Sequence, residues 1–440
     1  MPGRSKSRHI NTGELRINET DRTAICMADE LLLGCLSMAP DASNQKDNVS
    51  LDGLTSSDWE ECLRHAAMHG LLPLVYHRLK SLNPDISISG QTINDLRQSY
   101  LATAARNMAL YNKLGKILSL FSNRHIPVIA LKGAHLAELV YCDIGLRSMN
   151  DIDLLVHKED LVRAEETLFD LGYAPIEFQR KVSTDNYHFT YALPNKELCV
   201  EIHWTLLPPL FHFNLTMSEQ WKRAQPALIA GYPASILCPE DLLVYLCLHT
   251  CKDSFIHGLR SLFDICITID HYKEAIDWDM VVFHTCHGKM GKCVYLVLFL
   301  ARELLGASVP DTALYAVKPE NFDEYYIPSA IRQIFGVQHY KSDVLSSHPN
   351  IARLWNSGGV MNKAALILAR IFPSSESMAR MYPAGSDSKR IYLYYPLRII
   401  DLILRHTHKM LRLLRGNKEL LVAAKQKNEG ISLKNWLMSP

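Results

Sequence analysis

Between Pro127 and Trp204 the apolar residues stop recurring at helical spacing and gather into short runs broken by glycine and polar residues. Pro127-Val128-Ile129-Ala130-Leu131 is too short and too continuously apolar for a helix, and it reads as a buried strand. Residues 134–141 read as a helix that starts at Gly133. Ile152–Val156 reads as a second strand, and 158–171 as an amphipathic helix stopped by Gly172. Residues 187–193 and 198–204 read as two more strands. The order strand–helix–strand–helix–strand–strand predicts a small α/β unit over roughly 125–205.

The chain on either side is helical in pattern. Residues 21–38, 57–82 (with Ser57 as N-cap and a break near Gly70) and 91–124 carry apolar residues at helical spacing. Pro239-Glu240-Asp241 is a good first turn, with proline at N1 and acids at the positive end of the dipole. Helices are expected at 240–252, 257–272, 278–288 and 290–305. The most apolar stretch, 293–305, meets Arg302 and Glu303 well short of the ~20 residues a membrane span needs, so a buried helix is expected there. Residues 373–388 are rich in Ser, Pro and Gly and read as a loop or linker. Residues 390–415 read as a basic amphipathic helix, with Arg390, Arg398, Arg405, Lys409, Arg412 and Arg415 against Asp401 alone. Packing on the protein with a solvated basic face is the first reading of it; peripheral contact with an anionic membrane is the other. The expected organisation is a disordered tail (1–20), a helical N-terminal region (21–124), an α/β core (125–236), a helical domain (237–308) and a C-terminal helical region (309–440). The fold class is α+β, a small mixed-sheet core between helical regions.

A formal net charge of +1 gives no global electrostatic case for a nucleic-acid partner. The 11 cysteines are odd in number and hold no Cys-x-x-Cys pair, a pattern of reduced thiols. With no apolar stretch following the basic N-terminus, a cytoplasmic location is expected, membrane-peripheral if 390–415 binds lipid.

The chemistry lies in 131–156. Asp151 and Asp153 stand two apart on a predicted strand, so both project from one face while Ile152 points into the core. Two carboxylates on one face repel unless a cation lies between them, and hard oxygen donors suit Mg2+ or Mn2+. An isolated Asp-x-Asp is common on solvated strand edges. Here Lys132-Gly133 closes the preceding strand, Arg147 sits in a loop four residues before Asp151, and Glu201 alternates with Val200 and Ile202 on a later strand. Three acids on neighbouring strands suit two-metal phosphoryl chemistry.

These residues, with Gly145-Leu146-Arg147, Gly172-Tyr173, Glu201-Ile202-His203-Trp204, Leu248-His249 and Arg260 to Asp264, resemble the uncharacterised nucleotidyltransferase family of bacteria, within the polymerase-beta-like nucleotidyltransferase superfamily. The likeness covers roughly 125–305 and weakens beyond. It implies a nucleotidyltransferase core in which Asp151 and Asp153 are paired metal ligands and Glu201 is the third carboxylate. It also implies that Gly133 lets backbone amides meet nucleotide phosphates. The superfamily usually has Gly or Ser next, where this chain has Ala134, and Lys132 and Arg147 are the cations that would compensate by contacting the triphosphate. The implied reaction moves a nucleoside monophosphate from an NTP to a hydroxyl on a small molecule, saccharide, peptide or protein.

Other residues stay open between two roles. His203 shares Glu201's face and reads as a metal neighbour, a base or a packed strand residue; Trp204 reads as core. His249 reads as either a cleft-facing or a core histidine. Cys247 and Cys251 share a helix face from which His249 is turned away, so a zinc site on that helix is geometrically poor. Arg260 and Asp264, four apart, are expected to pair, or Arg260 to reach a substrate anion. The competing classes are a glycosyltransferase using Asp-x-Asp, a catalytically inert protein that keeps the fold to bind or regulate, and a toxin–antitoxin-type nucleotidyltransferase acting on protein or RNA.

Overall fold

The computed structural model describes residues 25–38, 55–81, 88–176, 186–194, 198–209, 213–336, 388–400 and 418–439, with a few isolated positions besides. The expected tail at 1–20, most of the expected loop at 373–388 and the 401–415 part of the basic helix lie outside the described residues.

The chain enters through helices α1 (Met27–Leu36), α2 (Ser56–His69), α3 (Leu72–Ser81) and α4 (Gly90–Asn123). The cap of α2 is Thr55, two residues before the expected Ser57: its hydroxyl accepts from the Asp58 amide while the Asp58 carboxylate accepts from the Thr55 amide. This reciprocal box satisfies two end donors at once, which Ser57 inside the helix cannot do. Gly70 ends α2 at φ +69°, a left-handed turn that glycine adopts without strain.

The sheet follows. Strands β1 (Val128–Ala130), β2 (Asp151–Val156), β3 (Ala174–Pro175), β4 (His188–Ala192), β5 (Cys199–His203), β6 (Gln225–Ile229) and β7 (Tyr232–Ile236) lie in the order β3-β4-β5-β2-β1-β7-β6. The β1–β7 and β2–β5 pairs are parallel and the others antiparallel. The β6–β7 hairpin, turned at Ala230-Gly231 with φ +52° and +80°, is an addition to the expected strands. Pro226 and Pro233 hide it, since proline argues against a strand in sequence and is tolerated near a sheet edge. Between β1 and β2 the expected helix at 134–141 begins earlier, as the single turn α5 (Lys132–His135), and widens into a π-type turn over Leu136–Val140. Helix α6 (Leu161–Asp170) follows β2, and α7 (Met217–Arg223) precedes β6.

Strand alternation divides the core in two. Val128, Ala130, Ile152, Leu154 and Val156 pack with α4 and α6 on one face. Ile129 and Leu155 face the other way, into a larger core with α8 (Pro239–Lys252), α9 (Leu259–Tyr272) and α11 (Gly291–Leu305). Asp151 and Asp153 share the parity of Leu155, so they project toward the helical layer. Both α8 and α11 are buried almost all round, as their continuous apolar sequences require. Helices α10 (Trp278–His287), α12 (Asp311–Val317), α13 (Tyr326–Phe335) and α14 (Lys418–Leu437) complete that layer.

Candidate active site

Strand β2 carries Asp151 and Asp153, with Ile152, Leu154, Leu155 and Val156 fully buried behind and beyond them. The parallel register sets Glu201 of β5 directly opposite Asp153, and the antiparallel register sets His188 of β4 opposite His203. Directly opposed residues in a sheet share a face. One sheet face therefore holds Asp151, Asp153, Glu201, His203 and His188.

All of these but His203 line a cavity of about 300 Å³ whose opposite wall is helical. Lys132 and Gly133 come from the β1–α5 turn, Arg147 and Ser148 from the loop before β2, His249, Lys252 and Asp253 from α8 and its end, and His257, Arg260 and Asp264 from the start of α9. Every sequence-derived site residue except Ala134 and His203 borders this cavity; Ala134 is buried one residue further in, its carbonyl accepting from the Tyr111 hydroxyl at 2.7 Å, and His203 is buried beside the wall, its Nε2 3.0 Å from Asp153 and 3.3 Å from Glu201. A Cβ on Gly133 would stand 2.9 Å from an Arg147 guanidinium nitrogen and 3.1 Å from Met149 Cγ, so glycine is required for this close approach.

Lys132 and Arg147 are already paired with carboxylates. Lys132, at φ +40°, places Nζ 2.6 Å from Asp153 Oδ1. Burial opposes the Lys132 charge, but Asp153, with Asp151 and Glu201 beyond it, holds the ammonium protonated well above the usual lysine range. Burial alone would raise the Asp153 carboxyl; Lys132 and the His203 hydrogen bond at 3.0 Å overcome it and hold the group far below the usual carboxylate range. Asp151 goes the other way. Burial, then the Asp153 charge, pushes it up to about 6 despite Lys132. The acid pair thus carries more negative charge than Lys132 alone neutralises, and that imbalance, with its oxygen donors, fits a divalent cation.

Arg147 does not stand free for a triphosphate. It forms a bidentate pair with Asp264, Nε to Oδ1 and Nη2 to Oδ2, both at 2.8 Å, while the Tyr141 hydroxyl donates to Oδ1 at 2.8 Å. The expected Arg260–Asp264 pair is thereby corrected: Asp264 is taken by Arg147, and Arg260 donates to Ser148 Oγ at 3.2 Å on the cavity wall. The i,i+4 rule points to a neighbour on the helix, but the loop supplies a planar fork that matches both oxygens.

The loop itself is held by α4. Asn107, fully buried, donates to the carbonyls of Ile144 at 2.5 Å and Arg147 at 2.6 Å and accepts from the Met149 amide at 3.3 Å. Its sequence signal is slight: one amide inside a long amphipathic pattern. His249 faces the cavity, within 3.4 Å of Asp253, and burial keeps its imidazole neutral well below the usual histidine range. Asp253 also holds Lys252 at 2.9 Å and His257 at 3.4 Å. Burial drives the His188 imidazole down to about 4, so it is neutral at pH 7. Sequence reasoning missed His188, whose place beside His203 depends on a register that only the paired strands define, and Asp253 and His257, which reach the site from the turn between α8 and α9.

Among the described residues, two trios of His, Cys, Asp or Glu have ligand atoms all within 4.8 Å of one another: His188, Glu201 and His203 at this cavity, and Cys26, Asp29 and His65 in the N-terminal helices. Asp151, Asp153 and Glu201 share the cavity without forming such a trio.

The mixed sheet thus projects an acid pair and a third carboxylate toward a helical wall. A family model described as uncharacterised nucleotidyltransferase matches residues 55–306, more than half of the chain, and the chain belongs to that family. Two solved structures are similar to it. One, a solution structure of the antibiotic-resistance factor ANT(2'')-Ia, is 14% identical and covers 41% of this chain and 91% of that chain at TM-score 0.31. The other, a crystal structure of JHP933 from Helicobacter pylori, is 16% identical and covers 59% of this chain and 100% of that chain at TM-score 0.25. No curated protein matches the sequence. No helix among the described residues is long and apolar enough to cross a membrane.

Proposed function

We propose that the protein transfers a nucleoside monophosphate from an NTP to a hydroxyl acceptor with the help of divalent cations. The observation that carries this reading is the set Asp151, Asp153 and Glu201 on one sheet face, inside a cavity rimmed by basic side chains, in a chain of this family.

Asp151 and Asp153 would hold the ions, with Glu201 completing the donor set; bound Mg2+ or Mn2+ would neutralise the phosphates and the leaving pyrophosphate. Lys132 keeps Asp153 ionised and oriented, and Arg260, without a carboxylate within ion-pair distance among the described residues, is the cation free to meet a phosphate. The Arg147–Asp264 pair acts indirectly, by holding the loop that precedes Asp151. Glu201 and His203, with oxygen and nitrogen 3.3 Å apart, are the groups placed to take a proton from an attacking hydroxyl.

A second reading, a binding protein that keeps the fold, is favoured by the Lys132–Asp153 ion pair, which already neutralises one acid. Calorimetric titration with each of the four NTPs, with and without Mg2+ or Mn2+, separates the two. Metal-dependent binding that disappears in a folded Asp151→Ala, Asp153→Ala double variant is the expected outcome. No binding under any condition, with the protein folded, overturns it.

A further inference from the structure

The two compact trios differ in how their atoms are used. In the N-terminal trio His65 Nδ1 meets Asp29 Oδ1 at 2.5 Å, Cys26 Sγ donates to Asp29 Oδ2 at 3.1 Å, and Arg64 reaches His65 Nε2 at 3.0 Å. Every ligand atom there is bound to a neighbour, and the group ties α1 to α2.

In the second trio His188 and Glu201 line the cavity and His203 is buried beside them. His203 is 1% exposed, and among the described residues neither its Nδ1 nor the buried Nδ1 of His188 has a hydrogen-bond partner. Both imidazoles turn Nε2 toward the same Glu201 oxygen: Oε2 lies 3.3 Å from His203 and 3.8 Å from His188, and His203 Nε2 is shared with Asp153 at 3.0 Å. The antiparallel register enforces this, setting the two rings 4.9 Å apart at 33°. Ligands about 2.0–2.1 Å from a tetrahedral zinc ion stand about 3.4 Å from one another, close to the two separations found here.

We propose that His188, Glu201 and His203 hold a second divalent ion, of the borderline transition-metal class represented by Zn2+, beside the Asp151–Asp153 pair. Mg2+ demands oxygen ligands and dehydrates reluctantly, whereas imidazole nitrogen suits Zn2+ and its neighbours. Two histidines and one carboxylate leave a fourth position on a tetrahedral ion. Asp153 Oδ1, 3.0 Å from His203 Nε2, is where the two positions adjoin. The inference rests on the proposed transfer reaction in giving Asp151 and Asp153 to the nucleotide's magnesium, with Glu201 shared between that donor set and the imidazoles; the imidazole site is tested without nucleotide.

The full chain, stripped with chelator, is titrated with Zn2+ and separately with Mg2+ by calorimetry, and with Co2+ followed by visible absorption. One Zn2+ is expected, bound at least about tenfold more tightly than Mg2+, with a Co2+ spectrum free of thiolate charge-transfer bands. His188→Ala and His203→Asn are each expected to weaken Zn2+ by about tenfold or more, with circular dichroism unchanged. His188 is partly exposed, so its variant carries the test if the buried His203 variant does not fold. Unchanged Zn2+ affinity in folded His188→Ala overturns the proposal, as does zinc lost in Cys26→Ser but kept in His188→Ala. NTP binding that survives in the Asp151→Ala, Asp153→Ala variant removes the transfer reading instead, and leaves zinc binding by the imidazoles standing.

Discussion

Asp264 is the carboxylate on which the loop before the acid pair depends, and its partners Arg147 and Tyr141 lie more than a hundred residues away in the chain. Arg147→Ala leaves that buried carboxylate without its charge partner, so a loss of about 3–5 kcal/mol is expected in urea unfolding. Arg147→Lys recovers only part of it, since an ammonium cannot bond both oxygens in one plane. Titration supplies a second test. Asp151, pushed up to about 6, is ionised above that pH and protonated below it. Affinity for Mn2+ is therefore expected to fall by about tenfold per pH unit once the pH drops below 6, and to be level from 7 to 8. A third concerns His135, fully buried and lowered to about 4 by burial and then by His271. The unfolded chain takes up a proton near pH 6.5 that the folded protein refuses until about 4, so stability is complete above 6.5 and decreases by about 3 kcal/mol as the pH falls to 4. Melting His135→Gln beside the parent at pH 7 and 4.5 checks this; a parallel pH dependence in both would refute it. The acid pair was readable in sequence because strand alternation is local. The Asp264 partner was not, because local rules favoured Arg260, four residues away, over Arg147 across the molecule.

Among the elements, α4 shows the same division. Its apolar stripe and its length were apparent from periodicity, and the helix spans Gly90–Asn123 as its spacing implies. Its work for the site is polar and is not periodic: Asn107 binds the loop of Ile144, Arg147 and Met149, while the Arg106 guanidinium adds a bond to the Met149 carbonyl at 3.2 Å. Asn107→Ala is expected to lose about 1–3 kcal/mol and to weaken NTP binding, as the loop loses its donors. Asn107→Asp should be worse, because it faces two carbonyl oxygens with a carboxylate; equal melting of the two variants would show that the loop is held by other means. The β6–β7 hairpin escaped sequence reading for the reason already given, two prolines in strands near a sheet edge.

For the whole molecule, two cores meet at the sheet, and the candidate site opens into the helical one. That core extends to the end of the described chain. Leu433 and Leu437 of α14 are buried in it, Arg332 pairs with Glu429 at 2.9 Å, and Gln333 donates to the Gln426 carbonyl at 2.9 Å. Leu433→Ala is expected to cost about 2–5 kcal/mol in chemical denaturation, the range for a fully buried leucine. Family membership and the mixed α/β character followed from the acid-bearing strands, whereas the union of sheet and helices around one cavity required the folded chain. That union has a consequence for biogenesis. The loop residue Arg147 is joined to Asp264, 117 positions later. Because synthesis runs from the N-terminus, a ribosome releases the strand of acids well before the helices that wall them in. The nascent chain thus carries its carboxylates open to water, and the cavity assembles only after more than a hundred further residues have been translated.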